Sequence, residues 1–347
     1  MQFELTAEQR MIADMVNEFA IAEGSSECIR RAMASDNGYL DETWQAMSRD
    51  LALPGLLIPE AAGGQELSLV EMALVFEQLG RQLLPSPLLS TSVLSAVALC
   101  GIGDVEHLGQ IASGDKTAAL AELTAGVADF VLDAAEADWL ILFDRDTSNL
   151  YLADRDNPNV VVESVPTLDQ TRRFARVEVI DLSSIPLLGS GDAATQAIAQ
   201  STDAARVALA SEAVGAAQQC LASTVTYTKE RIQFGRPIGS FQALKHQMAD
   251  MMVEVEAAIS AVYFAACAIA EGQSQGSSLA AMAKVQASEA LTFCASRMIQ
   301  LHGGIGFTWE HDAHLYFKRA RSTCNLFGRN ADLDDFIASD IGLEARS

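Results

Sequence analysis

The sequence predicts a mainly α protein with a small β domain, in the order helical, β, helical. Three observations lead there. The 347-residue chain is rich in Ala and Leu and only 6% aromatic, a balance that favours helix over strand. Apolar residues recur at helical spacing through the first hundred or so residues and again after about residue 200. Between these stretches the period shortens, and brief apolar runs alternate with turn signals.

Thr6 and Gln9 have the spacing of a capping box, and Met11, Ile12, Met15, Val16 and Phe19 follow at helical intervals. A second helix start has Ser68 and Glu71 as a capping box, with Leu67 and Met72 placed as a hydrophobic staple. Pro54, Gly55, Pro59, Gly63 and Gly64 mark a loop between the two. Residues 139–143, 150–152, 160–162 and 174–180 read as short strands, separated by signals such as Asp156-Asn157-Pro158-Asn159. Helices are expected near 202–231, 241–272, 278–301 and 309–323, forming an up-down bundle. The expected domains are an N-terminal helical domain (1–112), a middle β domain (113–190) and a C-terminal four-helix bundle (200–347).

Charge narrows the function classes. With 46 acidic and 23 basic residues the formal net charge is −23, which repels phosphate backbones and anionic lipid, so neither nucleic acid nor membrane is an expected partner. No basic segment precedes an apolar run at the start, and the apolar stretch 83–99 is interrupted by Pro85, Pro87 and several Ser. No spanning helix is expected. The six cysteines form no CxxC pair and read as reduced thiols of a cytoplasmic protein. His302, His311 and His314 lie close in sequence, but no Cys or carboxylate set at ligand spacing joins them, so no metal site is expected.

Two segments carry more than pattern. Arg231-Ile232-Gln233-Phe234-Gly235-Arg236-Pro237-Ile238-Gly239-Ser240-Phe241-Gln242 breaks the helical run, and Gln300-Leu301-His302-Gly303-Gly304-Ile305-Gly306-Phe307 breaks it again. Arg231 offers a planar fork of donors suited to a pyrophosphate, and the glycines allow close backbone approach to a ligand. On residue chemistry alone, a helix-to-helix turn with Arg231 paired to surface carboxylates explains the first segment equally well. Both segments closely resemble the C-terminal signatures of the acyl-CoA dehydrogenase family, and Pro59-Glu60-Ala61-Ala62-Gly63-Gly64 resembles its N-terminal PE-x-x-GG turn. The resemblance spans nearly the whole chain and implies an acyl-CoA dehydrogenase-like architecture and α,β-desaturation of an acyl-CoA thioester. In that chemistry a carboxylate removes the α-proton and FAD accepts the β-hydride. It further implies that Arg231, Phe234, Gln242, Gln300, Gly303 and Gly304 contact the pyrophosphate and adenosine half of an FAD held mainly by the neighbouring subunit.

The sequence departs from the family where the chemistry should be. Counting from Gln300, the family's Tyr-Glu-Gly base position is Phe327, and the flavin-contacting residue two further on is Arg329. The alternative base position, just before an Arg on the first bundle helix, is Ala205. Glu212 lies two turns beyond Ala205, about 10 Å along the helix, and is the remaining base candidate beside its plainer reading as a solvated or capping carboxylate. In the β domain the segment beginning Leu120-Ala121-Glu122 runs almost directly into Ala128-Asp129-Phe130, as if a few dozen residues were missing, and Leu132 occupies the place of a flavin-facing hydroxyl. The chain thus resembles the short subunit of bacterial heteromeric α2β2 acyl-CoA dehydrogenases of steroid catabolism. That implies a full-length acyl-CoA dehydrogenase partner, an FAD shared across the interface, and an electron-transfer flavoprotein as acceptor. Two other readings stand beside it: a self-sufficient homo-oligomer using Glu212, and a non-catalytic acyl-CoA-binding or scaffold relative.

Overall fold

A computed structural model describes residues 4–343. The chain opens with α1 (Ala7–Glu23), α2 (Ser26–Ala34), α3 (Asp41–Arg49), two single 3-10 turns and α4 (Leu69–Gln82). A π-helical segment (Leu89–Ser95) runs into α5 (Ala96–Ile102), followed by α6 (Val105–Ala112). Then come β1 (Ala118–Leu123), β2 (Val127–Leu132), β3 (Trp139–Asp144), β4 (Asn149–Asp154), β5 (Val160–Val165), β6 (Phe174–Val179) and β7 (Leu187–Ser190). The last part holds α7 (Gly191–Glu230), the short β8 (Ile232–Gln233) and β9 (Arg236–Pro237), α8 (Gln242–Ala270), α9 (Gly276–His302), α10 (Ala313–Thr323) and α11 (Asn330–Asp340). The mainly helical class with a small β domain is as expected.

By spatial grouping the chain forms two compact units, each drawing on more than one stretch of sequence. The first contains α1, α4, α7 from Arg206 onward, and α8 to α11. Its N-terminal helix starts as the sequence requires. The Thr6 side chain accepts from Gln9 N–H, and the Gln9 side chain returns the bond to Thr6 N–H, so two otherwise orphaned donors are satisfied. The middle of this unit is made of small residues. On α7, Val207, Ala208, Ala210, Ala213, Ala216 and Ala217 are buried to 1% exposure or less, so neighbouring helices approach closely. The tightest approach is reciprocal. A Cβ on Gly215 of α7 would lie 1.8 Å from Glu77 O of α4, and one on Gly80 of α4 would lie 2.2 Å from Glu212 O of α7. Gly215→Ala must therefore spread two helix backbones. A loss of about 2 kcal/mol, read as a lower urea midpoint, is expected.

The second unit contains α2, α3, the π segment, α5, α6, all seven strands of the β domain and the start of α7. Its first sheet has the order β1-β3-β4-β7, with β1 and β3 parallel and the other pairs antiparallel. The second is the antiparallel β2-β6-β5. Buried Leu123, Leu140 and Leu142 from one sheet cluster with Val131, Val160 and Val177 from the other, so the two pack face to face. The link between them is minimal. Ala125 (φ 51°) and Gly126 (φ 77°) form a two-residue turn closed by Thr124 and Val127, and β1 passes straight into β2 of the other sheet. This is where the sequence reading finds a segment missing.

Several expectations need correction. Helix α7 begins at Gly191 rather than near 202, because Gly191-Asp192 supplies a helix start and nothing after it breaks the run. The helix expected at 309 begins at Ala313, since a 3-10 turn (Gly303–Phe307) and further turns occupy the interval. The stretch 83–99 is less broken than its prolines suggest. The chain turns helical just after Pro87, and all seven residues of the π segment are buried. By length and composition alone α8 is apolar enough to cross a membrane, which the sequence reading passed over; here it packs against α9 and α4. All six cysteines are free thiols. Among the described residues no His, Cys, Asp and Glu group could hold a metal ion.

Candidate functional site

Helix α7 ends at Glu230, and Arg231 N–H still donates to Tyr227 O at 2.8 Å. Phe234 (φ 53°) and Gly235 (φ 76°) then reverse the chain between β8 and β9. Positive φ at both central residues is the geometry of a type I′ hairpin turn. Gly235 adopts it freely, whereas Phe234 is strained. Phe234 is 90% exposed and meets Phe241 edge-on at 6.1 Å, while the Arg236 guanidinium lies 4.0 Å above the Phe241 ring. Arg231 is exposed and has no salt-bridge partner among the described residues. An unpaired, solvent-facing guanidinium in so acidic a chain answers the alternative in which it pairs with surface carboxylates.

The second segment lies at the end of α9. Gly303 takes φ 66°, and a Cβ on Gly303 or Gly304 would meet nothing within 4 Å, so this backbone faces open space. Gly306 differs: its Cβ would touch Ile299 O at 3.0 Å, so it is a packing glycine. The two segments are tied by rings. Tyr227, one turn before Arg231, stacks on His302 at 4.4 Å, and His302 lies 4.5 Å from His311. His302 Nδ1 donates to Met298 O at 2.8 Å. Burial holds both imidazoles below their ordinary value, against the opposing pull of that backbone bond on His302, which favours their neutral forms. Two residues before His302, Gln300 lines an open cavity of about 770 Å³ between α8, α9 and residues 324–330, with Arg297, Phe293, Cys324 and Asn330.

Residues 324–330 carry Phe327 and are held tightly. Phe327 (φ 53°) and Gly328 (φ 109°) are both left-handed. Arg206 Nε donates to Phe327 O at 3.0 Å. Fully buried Lys284, on α9, donates through Nζ to Cys324 O (2.9 Å), Gly328 O (2.7 Å) and Asn330 Oδ1 (2.8 Å). Burial lowers the Lys284 pKa to about 8. Arg329 is occupied by Asp332, at 2.8 and 2.7 Å. Glu212 is neither solvated nor a cap. It is buried and ion-paired with Arg319, which is 2% exposed. A carboxylate clamped in this way is poorly placed to take a proton from a ligand. Ala205 is completely buried, and Leu132, at the end of β2, is 6% exposed.

Sequence profiles for the acyl-CoA dehydrogenase N-terminal domain and C-terminal domain match residues 6–109 and 195–341. Acyl-CoA dehydrogenase IpdE2 of Mycolicibacterium smegmatis is 37% identical over 324 residues, 93% of this chain and 96% of that protein. The chain belongs to the acyl-CoA dehydrogenase family. Two solved structures share the fold. The Tcur3481-Tcur3483 steroid ACAD G363A variant is 27% identical, with a TM-score of 0.86 over 96% of this chain and 97% of the other. The ChsE4-ChsE5 complex from Mycobacterium tuberculosis is 24% identical, with a TM-score of 0.87 over the whole of both chains. The match to IpdE2 covers nearly all of both chains, so the relative is of similar length to this one.

Within this acyl-CoA dehydrogenase chain, the six candidate cofactor residues fall in three adjoining places: the β8–β9 hairpin, the first residue of α8, and the end of α9 with its glycine turn. All six are exposed. The free guanidinium of Arg231 and the open Gly303-Gly304 backbone fit a pyrophosphate, and the exposed Phe234 ring fits a flat apolar group. Phe327 and Ala205, the positions the sequence reading assigns to the base, are not acidic residues. Sequence reasoning missed Lys284 and Arg319. A lone Lys within Ala280-Ala281-Met282-Ala283-Lys284-Val285 was the available signal, since a cation on so apolar a face is buried with partners or misplaced.

Proposed function

We propose that this chain is the subunit of a heteromeric, flavin-dependent acyl-CoA dehydrogenase that completes a partner's FAD site without supplying the catalytic base. The observation that carries it is an asymmetry. The groups that reach outward, Arg231, Phe234, Gln242, Gln300, Gly303 and Gly304, are exposed and free of internal duty. Meanwhile Phe327, Ala205 and Leu132 offer no acid or hydroxyl where the family has them. The reaction is α,β-desaturation of an acyl-CoA thioester. Bound FAD would supply the hydride acceptor, Arg231 would hold its pyrophosphate, and the partner would supply the carboxylate that removes the α-proton. The Tcur3481-Tcur3483 likeness supports a steroid-derived acyl group, and both paired-name structures support two unlike chains. A full-length acyl-CoA dehydrogenase partner, an electron-transfer flavoprotein as acceptor and a cytoplasmic setting complete the reading. The Glu212–Arg319 ion pair speaks against the self-sufficient homo-oligomer.

Co-expression tests it. Alone, the chain is expected to be colourless or insoluble; with its partner, the complex should hold about one FAD per pair of unlike chains. Arg231→Ala within that complex should weaken FAD binding on the order of tenfold, the scale of a lost charge-assisted bond. Stoichiometric FAD and full turnover by this chain alone would sink the proposal. An Arg231→Ala complex with unchanged flavin content and activity would favour the non-catalytic reading.

A further inference from the structure

We infer that Asn330 is a further ligand-binding residue of the cavity at Gln300, and that buried Lys284 acts on the same ligand through it. The inference rests on the reading that a partner's FAD reaches this end of the bundle. It adds a contact that lies outside both sequence signatures.

Hydrogen-bond chemistry fixes which way the Asn330 amide points. An ammonium has donors and no acceptor, so the Asn330 atom that meets Lys284 Nζ, at 2.8 Å, is the carbonyl oxygen. The carbonyls of Cys324 and Gly328 take the other two ammonium hydrogens, so all three are committed. Lys284 is completely buried, and the Asn330 NH2 is thereby turned away from the interior. That NH2 makes no hydrogen bond among the described residues. Asn330 is half-buried and lines the cavity of about 770 Å³. Gln300 lines the same cavity, and its side chain too makes no hydrogen bond among the described residues. Two carboxamides thus offer unused donors to one space, and a buried charge locks one of them.

Charge selects what they take. Glu254 and Glu289 line the cavity against a single cation, Arg297, whose guanidinium lies 5.1 Å over the Phe293 ring. That balance disfavours a phosphate here and leaves the pyrophosphate to Arg231. It fits a neutral group with acceptors for the amides and donors for the carboxylates, which on FAD is the adenosine end.

The test titrates the flavin-stripped complex with FAD at pH 7 and reads stability as the urea midpoint. Asn330→Asp separates binding from structure. Its carboxylate keeps an oxygen for Lys284, now as a counter-charge, so the midpoint should not fall. It has no NH2, so FAD should bind at least about fivefold more weakly. Asn330→Ala should lose affinity by a similar factor. Lys284→Met should weaken FAD when Asn330 is present and add little in the Asn330→Ala background, because Lys284 acts through the amide. A merely structural Asn330 gives the opposite pattern: Asn330→Asp, with its ion pair intact, binds FAD as the unaltered complex does. That result overturns the inference, as does unchanged affinity in Asn330→Ala or a Lys284→Met penalty that is equal with and without the amide. If the unaltered complex holds no FAD, the underlying reading falls and takes the inference with it; if it holds FAD and Asn330→Asp binds equally well, the inference alone falls.

Discussion

Replacing Glu212 with Ala is expected to destabilise the protein by about 3–5 kcal/mol, read as a large fall in urea midpoint. The magnitude follows from what stays behind. The Arg319 guanidinium is 2% exposed and would lose its Glu212 counter-charge inside the helical unit, where solvent cannot replace it. Glu212→Gln keeps the shape and removes the charge, so it separates the roles. If Glu212 is structural, the folded variant complex keeps wild-type turnover per bound flavin. If Glu212 were the base, turnover would vanish with flavin still bound. A small stability loss together with abolished turnover would return the self-sufficient reading to first place.

Lys284→Met should cost about 3 kcal/mol, because three acceptors, Cys324 O, Gly328 O and Asn330 Oδ1, lose one shared donor. Met preserves length and apolar packing, so the loss reports the bonds rather than a cavity. The same residue gives a pH signature. Its pKa falls from 10.5 to about 8 on folding, so between those values the unfolded chain binds more protons than the folded one. Stability from this group therefore rises as pH climbs from about 8 to 10.5. The melting-temperature gap between wild type and Lys284→Met should widen over that window. A gap that narrows or stays flat would show that Lys284 is not the buried ammonium described.

Much of the fold could be read from sequence because its signals are local. The Thr6–Gln9 box, the short strands from 139 to 180 and the helices of the bundle depend on spacing and caps that act within a few residues. The two candidate segments were legible for another reason: Arg231 to Gln242 and Gln300 to Gly304 fall where helices that otherwise run unbroken are interrupted. What escaped was long-range. Nothing near Glu212 foretells Arg319, which is 107 positions away, and nothing near Lys284 foretells the carbonyls of Cys324 and Gly328. Burial turned Glu212 from a loose surface acid into half of an ion pair. The helical run after Pro87 escaped because tertiary packing buried it and overrode the weak local preferences of Thr and Ser, whereas the early start of α7 lay in a local signal, Gly191-Asp192, that was passed over.

The chain contains three tryptophans, and their placement is uneven. Trp44 and Trp139 are buried in the second unit, whereas Trp309 is 59% exposed just beyond the glycine turn, with the Lys318 ammonium 4.3 Å from its ring. The buried pair emits from an apolar environment and Trp309 from a wet one, so its light falls at the red edge of the spectrum. Trp309 follows Gly304 by five residues in the chain. The three indoles are therefore separable by colour, and the red edge of the emission reports on this end of the bundle alone, without a label.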